Sequence, residues 1–293
     1  MSSPTTTKQV ILVTGANKGI GYEAVKLLSL QQPDSTILLA TRSLDNGQRA
    51  VQRMKDEAGS DHFNNVVPLA LDIADSSSID RAVQQVKAEY GQLHLLLNNS
   101  GISNASMVKY DSAAAYSTAE VMAVNVYGTR NVTTAFLPLM PPHRSHIIVV
   151  SSEVAAWTTA AAEPQLQAVL LSPTLDWPTL DALTRDWTAA LDNRPSTHNY
   201  PPASATANAY GPSKALVSAY TRMLALEQSG VRGVVAVTPR LCATELSGGS
   251  GRSAAAGGAS VVWPVGRWGE VQQGAMYLDG KVVSWCHPRP LPK

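Results

Sequence analysis

The amino-acid sequence predicts an α/β fold built on a doubly wound parallel sheet. Two observations carry that reading. Short, nearly continuous apolar runs alternate with helical periodicity from Val10 to Val150, the pattern of strands buried on both faces by crossover helices. A glycine-rich turn ends the first run and opens the first helical stretch, as in a right-handed, Rossmann-like βαβ unit.

In chain order, strands are expected at Val10–Thr14, Ile37–Thr41, Val66–Leu71, His94–Leu97 and His146–Val150. Helices are expected between them over Tyr22–Leu30, Gly47–Glu57, Ile79–Tyr90 and Ala113–Leu139. Beyond Ser152 the alternation lapses. Residues 153–208 hold several prolines and Trp157, Trp177 and Trp187, with a helix-like piece around Thr179–Leu191. Helical periodicity returns over Tyr210–Gln228, and Gly233–Thr238 reads as a sixth strand. Ser247–Ser260 is so rich in Gly, Ala and Ser that a weak helix or a mobile loop is expected there. Met276–Val283 reads as the last strand. A length of 293 residues fits one such domain, 1–293, with 153–208 as a segment inserted on the substrate side.

Composition narrows the function. With 23 basic against 22 acidic residues and a net charge of +1, neither nucleic acid nor an acidic membrane surface is the expected partner. No apolar run approaches the ~18–20 residues of a membrane span. Met1–Lys8 is polar and lacks the layout of a signal peptide. Cys242 and Cys286 stand outside any CxxC or His-rich spacing, so no disulfide framework or metal site is expected, and a reducing, cytoplasmic setting fits.

Two clusters of residues carry chemistry. The turn Thr14-Gly15-Ala16-Asn17-Lys18-Gly19-Ile20-Gly21 suits a backbone that approaches a pyrophosphate, with oriented N–H groups at the helix N-terminus beyond it. The same glycines also serve a turn with no ligand. The second strand ends at Thr41-Arg42, without the carboxylate that holds the 2′-hydroxyl of NAD. Arg42 and Lys18 together suit a 2′-phosphate, whereas either one alone reads as a surface cation. Tyr210 and Lys214 lie four apart, on one face of a helix. An ammonium there, together with the positive charge of an oxidised nicotinamide, favours tyrosinate and would bring the tyrosine pKa from ~10 toward neutrality.

The GxxxGxG spacing of the first turn resembles the short-chain dehydrogenase/reductase family. Further motifs follow in that family's order. Leu71-Asp72-Ile73 looks like its adenine-contacting turn, Asn98-Asn99-Ser100-Gly101 like its NNAG motif, and Asn125 like its active-site asparagine. Ser151-Ser152 closes the fifth strand, and Tyr210-Gly211-Pro212-Ser213-Lys214 gives YxxxK. After the sixth strand, Pro239-Arg240-Leu241-Cys242-Ala243-Thr244 replaces the usual Pro-Gly and leads to a cofactor-contacting threonine.

The resemblance implies NADP(H) held by Gly15, Asn17, Lys18, Gly19, Ile20, Gly21, Arg42, Asp72, Ile73, Asn98, Ser100, Gly101, Tyr210, Lys214, Pro239, Cys242 and Thr244. It implies Tyr210 as proton donor and Ser152 as the group that orients the carbonyl. It makes Lys214 the grip on the nicotinamide ribose and has Asn125 hold a water behind the lysine. The length of 153–208 points to the monomeric carbonyl reductase-like branch, which reduces ketones, aldehydes and quinones. The small-molecule partner is thus a carbonyl or the corresponding alcohol. An alternative is a cofactor-binding protein of the same fold with little redox activity, acting as a regulatory module or non-redox cyclase. Arg240 and the Gly/Ala/Ser stretch favour it. Arg240 either meets an acidic substrate or projects into solvent. The three tryptophans either line a substrate pocket or form the insertion's own core, and Asp72 also reads as a helix N-cap.

Overall fold

The computed structural model describes residues 8–58, 62–104, 116–228 and 230–289. Residues 1–7, and the part of the expected 113–139 helix before Tyr116, lie outside that set. The chain begins β1 (Val10–Thr14), α1 (Gly19–Gln31), β2 (Thr36–Thr41), α2 (Leu44–Ala58), β3 (Val66–Ala70), α3 (Ser76–Tyr90) and β4 (Leu95–Asn98). Next come α4 (Thr118–Met122), a π-helical turn over Ala123–Gly128, α5 (Thr129–Phe136) and β5 (His146–Val150). Residues 153–208 carry α6 (Glu153–Ala161), α7 (Pro164–Leu170) and α8 (Trp177–Leu191). The chain continues with α9 (Tyr210–Glu227), β6 (Gly233–Val237), the short bridges β7 (Cys242–Ala243) and β8 (Arg252–Ser253), and α10 (Ala254–Val262). It closes with β9 (Met276–Leu278) and β10 (Lys281–Val283).

Eight strands form one sheet in the order β10-β9-β6-β5-β4-β1-β2-β3. All neighbours are parallel except the β9–β10 pair. The winding reverses between β1 and β4, so a crevice opens at their carboxyl ends. Alternation along β1 builds both cores: Val10 and Leu12 face a core with α3, α5, α8 and α9, while Ile11 and Val13 face one with α1, α2 and α10.

Two expectations need correction, and one alternative is decided. The expected last strand is a two-stranded hairpin, because Asp279 and Gly280 both take positive φ, 49° and 79°, and turn the chain back on itself. Of the two alternatives for the Gly/Ala/Ser stretch, a helix forms from Ala254 onward, capped by Ser253, whose hydroxyl accepts the Ala256 N–H at 3.2 Å. Its glycines let α10 lie against α1: a Cβ on Gly258 would meet Glu23 Cβ at 2.8 Å. Asp72 does not cap α3; Asp75 does, accepting the Ser77 N–H at 2.9 Å. Asp72 instead closes a local turn onto the Ala74 N–H at 3.0 Å.

Residues 153–208 are largely helical, and their buried apolar side chains join the core that α9 shares with the sheet. Trp187 is fully buried and stacks on Tyr200 with ring centroids 4.7 Å apart. Trp177 meets Tyr127 and Tyr220 edge-on at 6.0 and 6.1 Å, with the Arg130 guanidinium 4.3 Å over its ring. The Asp186 carboxylate accepts the Thr197 N–H, the Thr197 hydroxyl and the Tyr200 hydroxyl, each at 2.8 Å. That clasp fixes the segment leading toward α9. Helix α9 is buried at every residue from Gly211 to Thr221, as α6, α7 and α8 pack around it and the sheet lies beneath.

Candidate active site

The glycine turn after β1 is shaped by backbone needs. Gly15 and Gly19 take φ of 63° and 59°, a region L-residues enter only at a cost. Gly21 allows a close approach, since a Cβ there would meet Asn99 Nδ2 at 2.4 Å and the Gly15 carbonyl oxygen at 2.7 Å. Helix α1 begins at Gly19 with no side-chain cap and no acidic residue in its first turn. Its first N–H groups are therefore left for a phosphate, and the cradle fits a dinucleotide. Asn17 is held through its carbonyl, which accepts from Arg53 at 3.0 Å. Ile20 lies near Gly257 of α10, where a Cβ would meet its side chain at 3.1 Å.

The loop after β4 closes the other wall of the crevice. Thr14 Oγ1 accepts the N–H groups of both Asn99 and Ser100 at 3.0 Å, and Asn99 donates back to the Thr14 carbonyl at 2.9 Å. Ser100 sits beside Gly15, where a Cβ would come within 2.8 Å of its hydroxyl. Gly101 lies against Asn125 and Lys214, its notional Cβ 3.4 and 3.5 Å from their side chains. Asn98 departs from the expected set. Its side chain is buried and donates to Thr133 at 2.9 Å, so it faces α5 and not the crevice. Ile73 is buried against Gly128, and Asp72 stays half-buried at the crevice rim.

The two cations expected at a 2′-phosphate behave differently. Arg42 is exposed at the end of β2. The Lys18 ammonium is ion-paired with Glu245, which follows Thr244. Thr244 itself rests on the glycine turn, its methyl carbon 3.3 Å from where a Gly19 Cβ would stand.

Ser152, Tyr210 and Lys214 come together at the end of β5. Ser152 is the N-cap of α6 and accepts the Val154 N–H at 3.3 Å. Ser151 points the other way and is buried against Ser218, hydroxyl to hydroxyl at 2.6 Å. Burial pushes the Tyr210 phenol above its usual pKa, and the facing Ser152 hydroxyl partly opposes that rise. Burial also lowers Lys214, to about 8. The Lys214 ammonium donates to the Val150 carbonyl at 2.8 Å and lies 5.8 Å from the Tyr210 ring centroid. Burial is thus the main influence on the phenol in this arrangement, while the lysine ammonium is engaged by a backbone carbonyl.

Asn125 lies in the π-helical turn, a backbone distortion often found at functional sites. Its amide is fully engaged. It accepts the Ile102 N–H and donates to the Ile102 carbonyl, both at 2.9 Å, and donates to Ser213 Oγ at 2.9 Å. Ser213 in turn donates to the Tyr210 carbonyl at 2.7 Å. The side chain is therefore a brace between the crevice loop and α9. Thr14, Asn99, Arg53 and Ser213 were not singled out from the sequence. Asn99 and Ser213 lay inside quoted motifs, whereas nothing local marks Arg53.

The segment after β6 settles where Arg240 goes. Arg240 takes φ of 60°, the left-handed conformation that suits a glycine. Its side chain is exposed and runs to the β9–β10 turn, Nε 3.9 Å from Asp279 Oδ2. Arg252 holds both oxygens of the same carboxylate at 2.9 and 3.0 Å and donates to the Pro239 carbonyl at 2.8 Å. Cys242 is a buried thiol that donates to the same carbonyl at 3.2 Å, with its pKa raised by burial. Both cysteines are free. No helix among the described residues is long and apolar enough to cross a membrane.

Known proteins align with this architecture. The family described as short chain dehydrogenase matches residues 9–163. The chain is 27% identical over 294 residues to (+)-neomenthol dehydrogenase of Capsicum annuum, covering 88% of this chain and 91% of that one. It is 33% identical over 225 residues to carbonyl reductase (NADPH) 1 of Bos taurus, covering 76% of each. Among solved structures, salutaridine reductase of Papaver somniferum superposes with a TM-score of 0.76 at 26% identity, over 92% of this chain and 99% of that one. The chain belongs to the short-chain dehydrogenase/reductase family. Within it, the chain is similar to carbonyl reductase-like enzymes.

Proposed function

We propose that the chain is an NADPH-dependent reductase of ketone, aldehyde or quinone carbonyls. The observation that carries this is the convergence of Ser152, Tyr210 and Lys214 beside the glycine cradle. When bound, the nicotinamide supplies the hydride. The chain's own residues do the rest. Tyr210, held neutral by burial, donates its phenolic proton to the carbonyl oxygen. The Ser152 hydroxyl donates to the same oxygen and orients it as negative charge develops there. Lys214 keeps N–H donors beyond the one given to Val150, and these suit ribose hydroxyls. Asn125 and Ser213 hold the helix that carries both groups.

NADPH is favoured over NADH because β2 ends in an exposed Arg42 with no carboxylate. The bovine relative named for NADPH supports the same choice. The whole chain is read as one domain that acts as a monomer, since the insertion covers the faces of α9 that another subunit would need. The two free thiols suit a reducing, cytoplasmic setting. The test is to follow NADPH absorbance with the purified chain against a panel of ketones, aldehydes and quinones, repeated with NADH. Turnover of at least one carbonyl, faster with NADPH, is expected. Cofactor binding without turnover anywhere on the panel would contradict the reading.

A further inference from the structure

Helix α9 starts abruptly at Tyr210, and the turn that delivers it is unusual. Ala207 and Asn208 are consecutive non-glycine residues with φ of 56° and 54°. Such conformations persist only where surrounding contacts hold them, and they gather at functional sites. The turn is compact as well: Thr206 is fully buried, and a Cβ on Gly211 would meet its carbonyl oxygen at 2.0 Å. Ala209, at the N-cap position, supplies no side-chain cap of its own.

The cap comes instead from the far side of the crevice. Asn104 Oδ1 accepts the Ala209 N–H at 3.1 Å, and the Asn104 carbonyl accepts from Asn208 Nδ2 at 2.8 Å. Asn104 lies two residues beyond Ile102, whose backbone clasps Asn125. One short loop after β4 therefore braces Asn125 at one point and the start of the tyrosine helix at another. We propose that Asn104 and Asn208 are positioning residues that fix Tyr210, and with it the direction of proton delivery, by capping α9 across the crevice. Neither side chain needs to touch substrate or cofactor for this. The capping bond removes an orphan N–H from the helix start. The amide of Asn208 stabilises the left-handed turn that a β-branched residue would reject.

The inference rests on Tyr210 being the proton donor. Its test compares wild type with Asn104→Ala, Asn104→Asp and Asn208→Gly, measuring kcat, KM, NADPH binding by fluorescence and thermal unfolding. Asn104→Ala is expected to lower kcat about 10-fold, with the NADPH dissociation constant within about twofold of wild type. Asn104→Asp retains an acceptor for the Ala209 N–H, so it is expected to recover most of that loss. Asn208→Gly keeps the left-handed backbone but loses the amide, and is expected to lower kcat while remaining folded. Folded Asn104→Ala and Asn208→Gly variants with wild-type kcat would overturn the proposal. So would an Asn104→Asp variant no better than Asn104→Ala. A wild type that binds NADPH yet reduces nothing defeats the functional reading first, and this inference with it; an active wild type with unaffected variants defeats this inference alone.

Discussion

Tyr210 and Lys214 make opposite demands on one buried spot. Desolvation keeps the phenol protonated and makes the ammonium easier to discharge, to about 8. In the reductive direction the tyrosine must begin as an acid, and burial favours that protonated form. The lysine must stay charged to keep its donors. Reduction is thus expected to be level from about pH 6 to 7.5 and to fall as pH rises through about 8, where Lys214 loses its proton. A kcat profile against pH, with saturating NADPH, checks this. A rate that climbs through that range would mean that an ionised tyrosine is the working form. Arg240 shows what a single residue hides from sequence reading. Its type and place suggested substrate recognition or idle solvent exposure. The left-handed backbone and the pull of Asp279, shared with Arg252, decide its direction, and the second comes from a hairpin much later in the chain.

At the scale of elements, α10 teaches the most. Its Ala254–Val262 sequence has poor helix propensity because two glycines interrupt it. Tertiary packing overrides that propensity, since the same glycines allow α10 to approach α1 at the cofactor end. Gly258→Ala is expected to destabilise the fold by about 1–3 kcal/mol through overpacking against Glu23 and Ala24. Chemical denaturation checks the value. A neutral or stabilising effect, as helix propensity alone would give, would show that the close packing is unimportant. The parallel strands were legible because each one is an unbroken apolar run. The inserted helices α6 and α7 were not, because their alanine-rich and proline-bounded sequences lack a clear polar face. The π-helical turn at Asn125 left no mark in the periodicity.

For the whole molecule, the order of the motifs was legible: the glycine turn, Asp72, the Asn99–Gly101 loop, Ser152 and Pro239 follow the ends of strands, while Asn125 and Tyr210–Lys214 lie on helical segments. The sequence also placed Ser152 ahead of Ser151, and strand alternation explains that. What stayed hidden is long-range: the Asn104 cap, the Lys18–Glu245 pair across the crevice, and the burial that raises Tyr210. Each of these depends on segments far apart in the chain, beyond the reach of local pattern. The insertion's tryptophans were equally ambiguous in sequence, and only the packing of the folded chain leaves Trp187 with no exposed surface.

The central claim is that Tyr210 gives the proton. The most direct measurement compares wild type and Tyr210→Phe in NADPH-dependent reduction of whichever carbonyl the wild type turns over best, alongside NADPH binding. The expected result is turnover reduced by roughly 10²–10⁴-fold with NADPH affinity nearly unchanged. A phenylalanine variant that keeps more than a few per cent of wild-type turnover would contradict the assignment.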